Sequence, residues 1–589
     1  MSLYQDSSGG NNWRSSVHVN REGRVPIRFN GYRLESPEEL VEGRRASPAI
    51  EVAYEGGAVA AAVRHFWQNF PKALDGDRAG LTIRLFPEQW DDLHELQGGE
   101  SKTHTASLAF DGPFPEALSS VLEPAVLSCE PEWYERCQAV PLLTPAQASR
   151  APDYEGLVNA AIEGDDTFNA KRERIDEYGW RNFGDIYADH EAVGHQGERP
   201  LVSHYNNQYD AIAGFAIQFM RSGDLRWFSA MEDLALHVTD IDVYHTDEDK
   251  SAFNHGLFWH TAHYVDAGRS THRTYPRAPG VSGGGPSNEH DYSTGLLLHH
   301  LLTGDERSRA GVVELVNWVM AMDDGRRTVF RFLSRADTGL ASSTVSPTYH
   351  GPGRGAGNSI ATLLNGFRLT GDRRFLDKAE SLVRRCIHPA DDLQGNGLLD
   401  AERRWSYTVF LQVLGKYLQA KTVLGEIDSH YAYARASLLH YGRWMAVNEY
   451  PYLERPDLLE YPNETWAAQD IRKAEIFATV ARYTAGGERE LMLERSRFFF
   501  DRSISTLTAH DTRTLARPIA ILLSSGHDIA KLQSADSTID DGSPAIELRP
   551  PAVFVPQKIE AVRNFLLLSA FAALMLVALV SYIVARYLR

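Results

Sequence analysis

Histidines crowd one stretch of the chain. Twelve of its 22 lie between His190 and His300, interleaved with Tyr, Trp, Asn and Asp in the runs DIYADHEAVGH, VSHYNNQYD, DVYHTDED, GLFWHTAHYVDAGRSTHRTY and GGGPSNEHDYSTG. A packed core has little use for such density, because every buried imidazole needs hydrogen-bond partners. The same side chains suit proton transfer near neutral pH and the binding of a polar ligand. Most of these runs fall in apparent loops between helices, where binding and catalytic groups gather. His237, His299 and His300 stand inside helical runs and read as structural. A second polar run, ELQGGESKTHT, reads as a strand whose alternation sets Glu100, Lys102 and His104 on one face.

Individual motifs narrow the chemistry. HEAVGH sets its histidines five apart, on different helix faces, where a zinc metalloprotease needs four. His260 and His263 in WHTAH share a face, and their polar surroundings favour a cleft lining over a metal. GVSGG at 280–284 matches G-x-S-x-G, but no strand precedes it, so it makes no nucleophile elbow. HTDEDK lacks the glycine of a calcium loop. Three cysteines without a CxxC pair give neither a zinc site nor a disulfide framework, although Cys129 and Cys137 could pair across a short loop. No metal or cofactor is expected from these patterns, with a calcium requirement left open. GPGRGAGN at 351–358 offers Arg354 to an anionic ligand without phosphate-loop spacing. The net charge of −18 argues against a nucleic-acid partner.

The elements that must position these residues follow from periodicity. Residues 1–20 are polar and read as disordered. Residues 21–143 show strand alternation, with AIEVAYEGGAVAAAVRHFW as a hairpin broken at Glu-Gly-Gly, and read as an antiparallel β-sandwich. Residues 144–533 repeat a helix, a Gly-Asp turn and a second helix. The copies are FAIQFMRSGDLRWFSAMEDLALHV, LLLHHLLTGDERSRAGVVELVNWV and LLNGFRLTGDRRFLDKAESLV, with a looser one in ATVARYTAGGERELMLERSRFFF. Glycine closes one helix in the left-handed region and aspartate caps the next. Phe215, Phe219, Trp227, Phe228, Met231 and Leu234 fall at core spacing. Repeated antiparallel pairs suggest an α/α toroid, with loops gathered into a cleft at one end. Residues 534–557, rich in Pro, Asp and Ser, read as a linker. Residues 558–589 read as a membrane anchor, because Phe565–Ala585 carries no charge and spans about 31 Å as a helix. Positive charge flanks it on both sides, so the orientation is undetermined. No export signal is read in the first twenty residues.

Several long stretches resemble the exo-rhamnogalacturonan lyase family, the PcRGLX/YetA-like proteins. They are VRHFWQNFPKAL, LFPEQWDDLHELQGGESKTH, GWRNFGDIYADHE, HYNNQYDAIAGFAIQFMRSGDLRWF, DIDVYHTDEDKSAFNHGLFWHTAHYVDAGRSTHRTY and GGGPSNEHDYSTGLLLHHLLTGD, between about Val63 and Asp305. The resemblance implies an N-terminal β-sandwich followed by an (α/α)6 toroid, and β-elimination on galacturonate-containing chains. The C-terminal anchor and the absence of an evident signal peptide depart from that pattern.

A uronate lyase must neutralise the C6 carboxylate, remove the C5 proton and protonate the leaving O4. Lys102 and His104 are assigned as base and partner. Arg273, with Asn206 or Arg354, is assigned to the carboxylate. His260, His263, Tyr264, His290 and Tyr292 include the acid and orienting groups, while Trp259 and Tyr209 offer faces to a sugar. Two alternatives stand beside this reading. A glycoside hydrolase on the same scaffold would use a pair drawn from Asp210, Asp247, Glu289 and Asp291. A membrane-tethered glycan-binding protein would use none of them catalytically. The expected partners are an oligo- or polysaccharide and, through Phe565–Ala585, a lipid bilayer.

Overall fold

The computed structural model describes the chain apart from residues 21, 95, 97, 113, 194–195, 197–200, 250, 259–285, 344–350, 535–541, 547–552 and 589. The strands are β1 (Ser2–Gln5), β2 (Tyr32–Glu35), β3 (Leu40–Gly43), β4 (Ala49–Tyr54), β5 (Gly57–Val63), β6 (Lys72–Asp77), β7 (Gly80–Arg84) and β8 (Ala106–Phe110). They form two antiparallel sheets, β3-β2-β1-β6-β7 and β4-β5-β8. The hairpin read at Glu-Gly-Gly is β4–β5, with Tyr54 opposite Gly57 and Gly56 at φ +99°. Leu3 and Leu74 of one sheet and Ile50, Ala61 and Val63 of the other share an apolar cluster.

Two boundaries differ from the sequence reading. Residues 1–20 are not disordered, because β1 is the middle strand of the larger sheet, pairing with β2 and β6 at once. Its polar continuation is buried because its polar groups find partners. Asp6 accepts the amides of Arg28 (2.6 Å) and Phe29 (3.0 Å), and Ser8 donates to Asp176 at 2.5 Å. The strand region also ends at Phe110 rather than at 143. Phe114 and Leu118 of α1 (Phe114–Leu122) stand four apart, one face of a helix, and pack on Ala60 and Ala62 of β5.

The remaining helices are α2 (Pro131–Cys137), α3 (Pro152–Asn159), α4 (Phe168–Ile175), α5 (Ala211–Ser222), α6 (Leu225–His237), α7 (Thr294–Thr303), α8 (Glu306–Asp323), α9 (Arg354–Thr370), α10 (Arg373–Cys386), α11 (Ala401–Arg404), α12 (Tyr407–Val423), α13 (Ser429–Asn448), α14 (Glu464–Ala481), α15 (Gly486–Thr508), α16 (Ala516–Ser524), α17 (Ile529–Ser534) and α18 (Gln557–Tyr587). The Gly-Asp turns join α5–α6, α7–α8 and α9–α10. Gly223, Gly304 and Gly371 adopt the left-handed region, at φ +72° to +73°. Asp224, Asp305 and Asp372 accept the backbone amide two residues on, from Arg226, Arg307 and Arg374. Each of those arginines also grips the aspartate with its guanidinium. The helices α6, α8, α10, α13 and α15 each pack on the helix before them. Contacts also link α5 to α7, α7 to α9, α9 to α12, α12 to α14, α14 to α16, and α16 to α5. Phe215, Phe219, Trp227, Met231 and Leu234 are buried, and Phe228 packs against that core. His299 and His300 are structural as expected, bonding to Ser308 (2.8 Å) and to the Asp305 carbonyl (2.9 Å). Cys129, Cys137 and Cys386 are all free.

Among the described residues one helix, α18, is long and apolar enough to span a membrane, and its apolar window has no protein around it. Its first residue is buried, and Phe554 before it lies under the Arg385 guanidinium at 4.1 Å. The end of the expected linker is therefore tied to the body.

Candidate functional site

The loop entering α5 is unusual in its backbone. Asn206, Asn207, Tyr209 and Asp210 all have φ between +51° and +57°. Asparagine tolerates the left-handed region, but tyrosine there carries strain of about 1–3 kcal/mol. The strain persists because the loop is held at several points. The Asn206 amide donates to Asp185 (3.1 Å), and the Asn207 side chain accepts the Ile212 amide (3.1 Å). Both Asp210 oxygens accept the Gly295 amide at 3.1 Å, which anchors the start of α7.

The held loop presents Tyr209 to a cluster at the N-terminal ends of α7, α9 and α16 and in the middle of α14. Gln469 donates to the Tyr209 hydroxyl at 3.2 Å, and the Arg472 guanidinium lies 5.6 Å from its ring. Arg472 is itself held by Gln469 and Gln412, both at 2.6 Å. Arg354, the first residue of α9, reaches Glu289 at 2.7 Å and stacks over Trp405 at 5.6 Å. His290 and Tyr292, just before α7, meet edge to face at 6.1 Å. Burial, then Arg354 and Arg517, hold the His290 imidazole well below its ordinary pKa, so it is neutral. Burial pushes the Tyr292 phenol up to about 12, against the pull of Arg354. Burial works against the Arg354 charge, but its neighbours outweigh it, among them the Glu289 carboxylate that bonds it, and the guanidinium stays ionised. The cluster is thus cationic, partly dry and rich in hydroxyl and imidazole groups. It can receive a carboxylate and move a proton.

Of the residues expected to act, Tyr209, Asp210, His290, Tyr292 and Arg354 are gathered here. Asn206 lies behind them in a buried layer, donating to Asp242 at 3.0 Å. That layer also holds Asp185, Glu177 and His204, with His204 Nδ1 2.5 Å from Glu177 and 3.6 Å from Asp185. One donor atom from each of Glu177, Asp185 and His204 lies within 4.8 Å of the others, a spacing that could hold a cation. Burial, then Glu177, raises the Asp185 pKa, and burial, then Asp185, raises that of Asp242. A similar trio, Glu380, Glu426 and Asp428, already surrounds the Lys421 ammonium at 2.7–2.8 Å.

Lys102 and His104 sit elsewhere, and not on a strand. Residues 101–105 are irregular, and the polar groups of Ser101 and Thr103 bond to the turn after α6 rather than to a neighbouring strand. The Thr103 amide and hydroxyl both donate to Asp240, at 2.8 and 2.7 Å. Glu100 pairs with Arg181 at 2.6 Å, and Lys102 Nζ is 3.9 Å from Asp240. Burial lowers the pKa of Lys102, and burial with Lys72 and Lys102 takes His104 to about 3. The cavity they line holds about 40 Å³, room for roughly one water and not for a sugar ring. Trp259, His260, His263, Tyr264 and Arg273 lie outside the described residues. The residues flanking that segment, Phe258 and Pro286, pair in an antiparallel bridge.

Arg472, Gln469 and Trp405 were not expected. The signal for Gln469 and Arg472 was present in α14, where they, Asp470 and Lys473 interrupt an apolar helix and are all buried; Trp405 stands outside it, directly after α11. A buried helix carrying so many polar groups needs partners for them.

His245 and His255 share Glu314, at 2.9 and 3.0 Å, and His255 also meets Asp247 at 3.0 Å. Burial opposes both imidazolium forms, but the carboxylates outweigh it and raise both pKa values. A raised histidine contributes stability that is complete below its unfolded pKa of about 6.5 and lost as pH rises through the folded value. Glu314→Gln should therefore lower the melting temperature most at pH values below the ordinary histidine pKa, and the gap to wild type should shrink as pH rises through the raised values. Paired thermal scans across that range check it.

No protein-family model matches the chain. The chain is similar to the uncharacterized protein YetA of Bacillus subtilis (strain 168), 23% identical over 245 residues. That match takes in 36% of this chain and 28% of the relative's length.

Proposed function

We propose that the chain is a carbohydrate-active enzyme, a polysaccharide lyase that cleaves uronate-containing, rhamnogalacturonan-like glycans by β-elimination. The observation that carries this reading is the convergence of Arg354 and Arg472 with a neutral His290 and the hydroxyls of Tyr209 and Tyr292. The cyclic order of helix contacts from α5 through α16 back to α5 supports an α/α toroid. The shared apolar cluster of the two sheets supports a β-sandwich before it.

In this reading Arg354 and Arg472 neutralise the C6 carboxylate, which makes the C5 proton acidic. The bound anion offsets the Arg354 charge and lets the His290 pKa climb toward the working pH, where an imidazole serves as base. His290 takes the C5 proton, the C5–H electrons form the C4–C5 double bond, and the C4–O4 bond breaks. A tyrosine hydroxyl, Tyr209 or Tyr292, gives its proton to O4. Lys102 and His104 have no direct part.

A second reading, a glycoside hydrolase, draws support from Asp291. Burial, with the nearby Asp210 charge, raises its pKa well above the usual carboxylate range, as a general acid requires. Incubation with rhamnogalacturonan separates the readings. Ultraviolet absorbance of an unsaturated uronate, lost in His290→Phe and retained in Lys102→Ala, is the expected result. New reducing ends without that absorbance would leave the hydrolase, and binding without either product would leave a glycan-binding protein.

A further inference from the structure

The first two turns of α18 are clamped to the connection that follows α8. Gln557 donates from its side chain to the carbonyls of Gly325 (2.5 Å) and Ser334 (2.8 Å) and from its backbone to Asp337 (2.9 Å). It accepts from the Thr328 hydroxyl at 2.7 Å. Ser334 donates to Glu560 (2.5 Å), and Asn564 donates to the Leu333 carbonyl (2.7 Å). Asn564 immediately precedes the uncharged run Phe565–Ala585, so Leu333 stands level with its start. A bilayer spanned by that run would have its headgroup boundary at residues 326–335.

The composition of that segment fits such a boundary. Its sequence is RRTVFRFLSR. Val329 is 85% exposed and Phe332 83% exposed, both large apolar side chains without protein cover. Arg326, Arg327, Arg331 and Arg335 are all exposed, on a chain whose net charge is −18. The nearby carboxylates are already engaged. Asp324 holds Arg326 at 2.9 Å, Asp337 holds Lys378 at 2.9 Å, and Glu560 is bonded to Ser334 and Arg563. Arginines beside protruding apolar groups are the pattern of segments that lie in a membrane interface and favour anionic lipid.

We propose that residues 326–335 form a lipid-facing foot, with Val329 and Phe332 in the bilayer interface and Arg327, Arg331 and Arg335 against anionic headgroups. The foot holds the body in one orientation rather than letting it swing on its tether. It belongs to the connection that ends at Arg354, so the end of the helical layer carrying Tyr209, His290 and Arg354 faces toward the bilayer. This inference rests on α18 spanning the membrane and is independent of the reaction.

The test uses the full chain with Cys129→Ser and Cys137→Ser, leaving only the buried Cys386. An environment-sensitive fluorophore is placed on Phe332→Cys or, as control, on Leu225→Cys, which is exposed at the opposite helix ends. The protein is reconstituted in phosphatidylcholine–phosphatidylglycerol vesicles carrying a shallow nitroxide lipid. The label at 332 should be quenched several-fold more than that at 225. The difference should shrink in phosphatidylcholine alone and with Arg327→Glu and Arg331→Glu together. Equal quenching at 332 and 225 in protein that floats with the vesicles would overturn the foot. Protein that fails to float would overturn the spanning helix, and the foot with it.

Discussion

Replacing Arg354 by methionine is expected to lower kcat/KM on a polyuronide about 10²–10³-fold, the usual loss for one preorganised charge facing a developing anion. The fold should tolerate the change. The ion-pair partner, Glu289, has a half-exposed side chain and can return to water. Methionine can keep the stem packed over Trp405 without stranding a buried charge. A second readout separates a chemical role from a structural one. The Arg354 charge helps hold the His290 pKa down. Its removal raises that pKa, so less of the imidazole is neutral at a given acidic pH, and the acid limb of the residual rate shifts to higher pH. Arg354→Lys should recover only part of the loss, because an ammonium cannot make the forked contact of a guanidinium. Initial rates against pH, with melting temperatures alongside, measure all of this. Unchanged rates in Arg354→Met would remove the cluster from the chemistry.

The legible parts of this protein are those whose cause is local. The Gly-Asp turns at Gly223, Gly304 and Gly371 announced three helix pairs, because left-handed closure and aspartate capping are decided within four residues. The β4–β5 hairpin was readable for the same reason. The site was legible in residue type and only partly in placement. Tyr209, His290, Tyr292 and Arg354 stood in polar loops before helices, and helix starts bring loops together. Lys102 and His104 stood in an equally polar loop, but their neighbours are set by long-range bonds from Thr103 to Asp240, which alternation does not report. Arg472 lies within a helix more than 250 residues from Tyr209 in sequence, and only packing joins them. A cavity of about 520 Å³ lies beside α8 and α10 and contains none of the gathered residues. Its lining mixes Asp247, Glu314 and Asp337 with Arg374 and Lys378, without a neutral base beside a buried cation.

The N-terminus is where composition misled most, and there the second large effect is expected. Deleting residues 2–8 should leave a chain that does not fold its sheet region, recovered as aggregate or digested rapidly by protease. A polar run such as SLYQDSSGG looks solvated when each residue is weighed alone. In the fold, β1 supplies backbone partners to β2 and β6 together, and its loss leaves two new edges inside a five-stranded sheet. Leu3 leaves the cluster shared by the two sheets, a loss of about 1.5–3 kcal/mol. The Arg28 and Phe29 amides lose Asp6, and buried Asp176 loses Ser8, each orphaned group costing about 1–3 kcal/mol. The sum approaches the whole stability of an ordinary domain, about 5–15 kcal/mol. Asp6→Ala is the graded version. It keeps the strand but strands two amides and the Tyr4 hydroxyl, which donates to Asp6 at 2.6 Å, so it should lower stability by several kcal/mol. Because Asp176 also holds His18 at 2.7 Å and follows directly on α4, damage at the N-terminus should spread to the join between sheets and helices. Hydrogen exchange would then show faster opening of both β6 and α4 in Asp6→Ala. Solubility and a native melting temperature after the deletion would show instead that β1 is dispensable.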